Sequence, residues 1–292
     1  MSAGTRVEPS PVPTERPRGQ RIVGPAAIGV DARRFLNLTR TLAQTEFKLR
    51  FFGSALGYLW QLMRPLLLFG VLYVVFTQVL RFESNAEFYP VALLAGIVMF
   101  VFLSESTGTA VTSLVDRENL VRKVQFPRLV VPLSVVLTAL MNLALNLVVV
   151  IVFLLASGGS VRLGWLELPL LMALLALFAA SLSTLLSALY VRYRDVRPVW
   201  EVLLQMLFYG TPIFYTLDVI PNETLQRLLL VNPLAVIIQQ FRHAVIDPSH
   251  PSAVEAAGGW LLLLAPAAIL VGLAVWGYRY FDREAPRVAE DL

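Results

Sequence analysis

Few side chains in this sequence could do chemistry. There is no Cys, and the only two His are His243 and His250. That composition excludes disulfides, thiolate metal sites and a Cys nucleophile, and it leaves too few imidazoles for a His-built metal site or proton relay. No G-x-x-x-x-G-K-S/T phosphate loop, H-E-x-x-H zinc spacing, Ser–His–Asp set or pair of carboxylates placed for acid–base work is present. The chain therefore lacks the means to hydrolyse ATP by itself, and an intramembrane enzyme has little to stand on. One acid is conspicuous. Glu105 lies well inside an apolar run and is followed by Ser106 and Thr107. A charged acid at membrane depth costs roughly 2.5–3.5 kcal/mol on insertion scales, so it must face protein or water. It is either a structural hydrogen-bonding group inside the bundle or a pathway or gating residue.

The elements that must position such groups are membrane spans. Of 292 residues, 57% are apolar and 15% charged, and mean hydropathy is +0.68. The apolar residues fall in long runs that a water-facing surface could not display. A bilayer core of about 30 Å needs around 20 helical residues. Six runs meet this, at about 61–80, 90–113, 129–156, 168–191, 199–217 and 258–280, which predicts an all-α polytopic membrane protein with six transmembrane helices. Of the 24 Lys and Arg, all but Arg81, Arg162, Arg227 and Arg242 fall on one side of that arrangement. The positive-inside rule then puts both termini in the cytoplasm. The net charge of +4 is a topology signal here, with no nucleic-acid partner implied.

The flanking segments differ in kind. Residues 1–30, rich in Pro and Arg and without an apolar core, predict a disordered cytoplasmic tail and no signal peptide, and 281–292 a second cytoplasmic tail. From Asp31 to Phe52, Phe35, Leu38, Leu42 and Leu49 recur at near-helical spacing among Arg33, Arg34, Arg40, Lys48 and Arg50. This predicts a basic amphipathic helix lying in the headgroup layer, as an anchor or as something more. Arg40, Lys48 and Arg50 on it are placed either to bind anionic lipid or to attract a phosphate group at substrate admission. Tyr58 and Trp60 suit the membrane interface, Arg64 can snorkel to it, and Pro65 is expected in the first turn of span one. The cytoplasmic connection Asp116–Arg128, DRENLVRKVQFPR, predicts a short polar knob ended by Pro127. Outside, residues 218–257 hold two apolar stretches separated by Asn232-Pro233, each too short to cross alone, which predicts re-entrant or interfacial helices between spans five and six.

Four segments in register resemble one family. KLRFFGSALGYLWQLMRPLLLFGVLYVVF at 48–76 is similar to the L-G-x-x-W-x-x-x-x-P-L start of permease subunits of ABC-type polysaccharide exporters, the group handling lipid-linked O-antigen, teichoic acid, capsule and galactan. NLVRKVQFPRLVVPLS at 119–134, YVRYRDVRPVWEVLLQMLFYGTPIFY at 190–215 and NPLAVIIQQFR at 232–242 match further segments of that family. Arg64 departs from it, since the family usually has a neutral residue there. The resemblance implies a homodimer of permeases in the bacterial inner or plasma membrane with two separate nucleotide-binding ATPase subunits beneath, exporting a polyprenyl-pyrophosphate-linked glycan. ATP and magnesium would sit on the partner subunit, and this chain would bind no cofactor. By motif match, Asp116, Arg117, Glu118, Asn119, Leu120, Val121, Arg122, Lys123 and Phe126 would couple to the ATPase, Asp31–Phe52 would be a gate helix, and a helix pair at 222–246 an external gate. Aromatic rings suit a sugar channel, which makes Tyr73, Phe76, Phe208, Tyr209, Phe214 and Tyr215, with Glu105, the channel candidates. The rival readings are a drug or lipid exporter permease of the same superfamily and a secondary transporter.

Overall fold

The computed structural model describes residues 31–51, 57–79, 88–118 and 126–284. Among these residues it is all helix and turn, without strands. Helix α1 spans Ala32–Phe51, α2 Gly57–Val74 with a π turn at Val75–Val79, and α3 Tyr89–Asp116. α4 spans Val130–Ala156 and α5 Leu168–Arg192, the latter entered through a 3-10 turn at Leu163–Glu167. α6 spans Val196–Gly210, α7 Glu223–Leu229, and α8 Pro233–Phe241 with a π turn at Arg242–Ile246. The short α9, Ala253–Ala257, and the long α10, Trp260–Glu284, complete the chain.

Among the described residues, five helical stretches are each long and apolar enough to cross a bilayer: Leu59–Val79, Tyr89–Asp116, Val130–Ala156, Leu163–Arg192 and Trp260–Glu284. α3 is the centre, packed on α2, α4, α5 and α6, and every residue from Val91 through Phe100 is buried. A helix that is apolar all round belongs inside a bundle. By contrast α2, α6 and α10 carry wide exposed apolar faces, including Leu67, Val71, Met206, Leu261 and Val271, as lipid or another apolar surface requires. α10 lies along α5, where a Cβ on Gly277 would come within 2.9 Å of the Ser181 carbonyl oxygen, so the lack of a side chain permits the close approach.

Several boundaries differ from the sequence expectation. The fifth run does not stay helical to Leu217: α6 stops at Gly210 after 15 residues, and 211–216 is irregular backbone. Pro65 is inside α2 instead of in its first turn, because the helix begins at Gly57; its missing N–H leaves the Gln61 carbonyl without the usual helical donor. The last span runs from Trp260 to Glu284, beyond the expected 258–280, and Gly258 with φ 74° and Gly259 with φ 137° form the turn before it, a backbone that L side chains rarely adopt. Residues 1–30, Phe52, Leu80, Arg81, Asn119–Lys123 and 285–292 lie outside the described residues.

α1 starts where Asp31 Oδ1 accepts from the Arg33 and Arg34 amides, at 2.9 and 3.4 Å, a cap for otherwise unmatched donors. Its apolar side faces protein. Phe35, Leu38 and Leu42 pack on the buried cluster Leu114, Phe126, Leu129, Val131 and Phe281, and Ala43 is fully buried. Leu49, expected on that side, is exposed, as are Arg33, Arg34, Arg40 and Lys48.

Candidate functional site

The acid singled out by its position is a hub. Glu105 on α3 is ion-paired with Arg50 on α1 through Oε1. The same Oε1 accepts from Asn142 Nδ2 on α4 at 3.0 Å, and Oε2 accepts from Gln61 Nε2 on α2 at 3.2 Å. One carboxylate thus ties four helices, as a charge taken from water must be both paired and hydrogen-bonded. Its side chain keeps 15% exposure, and that of Arg50 35%. A second ion pair joins Glu46, one turn earlier on α1, to Arg117 at the end of α3, whose Nη1 also donates to Ser134 Oγ at 3.3 Å. Arg50 is therefore committed to Glu105, whereas Arg40 and Lys48 present their side chains at the surface.

Glu105 also forms part of the wall of an open cleft of about 790 Å³ between α2, α3 and α6. Arg64 and Leu68 line it from α2, Phe100, Ser104 and Thr109 from α3, and Glu201, Gln205, Phe208 and Tyr209 from α6. α6 is held on α3 by buried Trp200, whose Nε1 donates to Thr107 Oγ1 at 3.0 Å. Two of the six aromatic candidates, Phe208 and Tyr209, line the cleft, and Phe214, Phe76 and Tyr215 continue from them ring to ring. Phe208 lies 4.9 Å from Phe100, 5.3 Å from Tyr209 and 5.9 Å from Phe214, ring centroid to centroid. Phe214 in turn lies 5.0 Å from both Phe76 and Tyr215. Offset and edge-to-face contacts of this kind fix ring orientation. Tyr209, at 68% exposure, gives the ledge its open edge. Tyr73 stands apart, stacked on Phe69 at 5.6 Å.

The far half of this ledge sits on the irregular backbone after α6, where three successive carbonyls lack helical donors. Each has a side-chain donor instead. Arg242, 1% exposed, donates from Nη2 to Ile213 O at 2.9 Å and from Nη1 to Tyr215 O at 3.3 Å. Tyr89 Oη donates to Phe214 O at 2.7 Å. Non-helical backbone within an apolar run is tolerated only where protein supplies such donors. A Cβ on Gly96 would be 3.2 Å from the Ile213 oxygen, so α3 accepts the segment closely.

α7 and α8 turn by 104° at the Asn232-Pro233 corner. Asn232 caps α8 by accepting from the Leu234 amide at 3.0 Å and donates to Thr211 Oγ1 at 2.9 Å, joining the corner to the end of α6. α8 is moored to the 3-10 turn before α5: Trp165 Nε1 donates to Val245 O at 3.1 Å, Gln240 Nε2 to Glu167 Oε2 at 2.7 Å, and Arg162 to Asp247 Oδ1 at 3.1 Å. Burial pushes the Asp247 carboxyl up, but bonds from Ser249 and Arg162 outweigh it and hold the group below its ordinary value.

On the opposite side, Asp116 is exposed and accepts from Thr112 Oγ1 at 2.7 Å, while Arg117 and Glu118 are half-buried. Phe126 is buried beneath α1, which makes it an anchor of the connection. Sequence reasoning missed Gln61, Phe100, Asn142, Tyr89 and Trp200. Asn142, a polar residue midway along an apolar helix, was the one with a visible signal.

Residues 37–246 match the family described as ABC-2 type transporter. Relatives described as O-antigen export system permease protein RfbA come from two organisms. One from Myxococcus xanthus is 30% identical over 259 residues, 88% of this chain and 96% of that protein. One from Klebsiella pneumoniae is 30% identical over 207 residues, 70% of this chain and 79% of that protein. A polysialic acid transport protein, KpsM from Escherichia coli, is 23% identical over 239 residues, 80% of this chain and 90% of that protein. With its apolar helices packed around α3 and the family pattern running through α1 to α8, this chain belongs to the ABC-2 type transporter family.

Proposed function

We propose that the chain is the membrane-spanning permease subunit of an ATP-driven exporter that moves a lipid-linked polysaccharide to the outer face of the bacterial inner or plasma membrane. Two copies would form the path, and two separate ATPase subunits would drive it. Six crossings with both termini cytoplasmic place the Asp116–Phe126 connection where an ATPase subunit can engage it, with α6 as the short fifth crossing and the α7–α8 corner outside. The observation that carries the reading is the aromatic ledge Phe76, Phe100, Phe208, Tyr209, Phe214 and Tyr215 beside an open cleft whose wall mixes apolar and polar side chains. Ring faces pack against the C–H surfaces of sugars, and the lack of directional bonds lets a polymer slide. Arg64, Ser104, Thr109 and Gln205 add polar contacts along the same wall. The export systems named among the relatives support the same cargo class.

The test is transport in proteoliposomes holding the chain with its co-encoded ATPase. Lipid-linked glycan should become protected inside inverted vesicles only with ATP and magnesium. The double substitution Arg122→Glu with Lys123→Glu should abolish protection while insertion stays normal. Transport with the ATPase left out would indicate a secondary transporter, and ATP-dependent flipping of glycan-free lipid alone would indicate a lipid exporter.

A further inference from the structure

The Arg50–Glu105 pair has the construction of an exchangeable hold. Glu105 faces the cleft, and Arg50, although paired, keeps a third of its side chain exposed. If Arg50 leaves, the carboxylate is not orphaned, because Asn142 Nδ2 and Gln61 Nε2 still donate to its two oxygens. The guanidinium is the partner with somewhere else to go. A phosphate offers it a bidentate acceptor stronger than a shared carboxylate oxygen, and Arg64 stands on the same cleft wall as a second cation.

We propose that Glu105 is a positioning residue: it holds Arg50, and with it the last turn of α1, in a resting position, and a phosphate-bearing lipid ligand reaching the cleft takes Arg50 in exchange. No covalent step is involved. The exchange converts arrival of an anion into movement of the last turn of α1 relative to α3, because beside Arg50 that turn carries the exposed Lys48 and Leu49, whereas the apolar packing of Phe35, Leu38 and Leu42 and the Glu46–Arg117 pair hold the part before it. Glu105 itself need not touch the ligand. This inference rests on the exporter reading for the class of ligand, while the experiment reads helix position directly.

The chain has no Cys, so a pair of labels needs no background substitutions. Spin labels at Leu49→Cys on α1 and Leu145→Cys on α4, which is packed on α3, both exposed positions outside the cleft wall, report the separation of the end of α1 from the α3–α4 pair in the full-length protein in nanodiscs. Farnesyl pyrophosphate is the probe, with farnesol and inorganic pyrophosphate as the uncharged and lipid-free arms. In the otherwise native labelled protein, farnesyl pyrophosphate should add a longer-distance population and farnesol should not; a response to inorganic pyrophosphate alone would assign the site to free phosphate and overturn the lipid-ligand proposal. Glu105→Gln removes the ionic hold while keeping one acceptor oxygen for an amide donor, and should raise the ligand-free long population roughly tenfold, as loss of a charge-assisted hydrogen bond does. The charge swap Arg50→Glu with Glu105→Arg should restore the resting distance, and Arg50→Met, which removes the cation the ligand would take, should abolish the probe response. An unchanged distribution in Glu105→Gln, or a probe response that survives in Arg50→Met, overturns the proposal. Failure of the exporter reading is distinct, since it appears as absent ATP-dependent glycan transport whatever α1 does.

Discussion

Arg242→Met should destabilise the protein far more than its distance from the cleft suggests. The guanidinium, 1% exposed, donates to the Ile213 and Tyr215 carbonyls at 2.9 and 3.3 Å. Hydrogen bonds to a charged group contribute about 1.5–3 kcal/mol each, so the two together amount to roughly 3–6 kcal/mol. Met matches the volume of the stem and removes the cost of burying a charge, which offsets part of that loss. The Ile213 carbonyl it abandons stays packed against α3, and the cost of leaving each carbonyl without a donor is already contained in the figure for the two bonds. The balance is a loss of about 3 kcal/mol. For a chain of this size that lowers Tm by roughly 6–12 °C. Thermal unfolding in detergent, followed by the fluorescence of the five Trp residues, measures it. Arg242→Lys, which keeps the charge but has no planar fork to reach both carbonyls, should fall between the two. A Met variant within 2 °C of the parent would refute the reasoning and mean that the 211–216 backbone is satisfied in some other way.

Gly277→Ala should lower stability by about 1–3 kcal/mol, read from the same melting curves, because the new methyl meets the Ser181 carbonyl at 2.9 Å and α10 must lift from α5. Tyr209→Ala should leave Tm within the range of an ordinary surface change, about 0.5 kcal/mol, yet cut glycan transport severalfold, with Tyr209→Phe near normal. The Asp247 carboxyl is held below its ordinary value, so its contribution to stability is fully present above the unfolded-state value of 3.8 and fades as pH falls through the lowered folded one. Melting curves between pH 6 and pH 3 should therefore show an acid loss that Asp247→Asn removes.

Span positions were legible because charge-free runs of about 20 residues admit few other solutions. The end of α6 was overlooked although Gly210 and Pro212 mark it locally, and the irregular path of 211–216 beyond it was not legible, because the donors that hold it come from Arg242 and Tyr89, side chains remote in sequence. The aromatic ledge was half-legible: Phe208, Tyr209, Phe214 and Tyr215 cluster along the chain, but Phe100 reads as core until α6 is folded onto α3, and Tyr73 points to a different neighbour. Glu105 stood out as a lone acid, and its three partners did not, because Arg50, Gln61 and Asn142 lie on three other helices whose relative rotation no local pattern encodes.

The break after α6 also constrains the order of events during synthesis. Residues 211–216 reach the membrane before Arg242 has been made. Until it arrives, two of the three carbonyls lack their final donor, and Pro212, which has no N–H to give and restricts Thr211, keeps the helix from simply running on past Gly210. Only when Pro233–Ile246 folds back and brings the guanidinium in are the Ile213 and Tyr215 carbonyls matched. The outer corner and the aromatic ledge are thus completed in one late step, and a ribosome-bound chain arrested before Arg242 should leave residues 213–215 more open to labelling than the finished protein does.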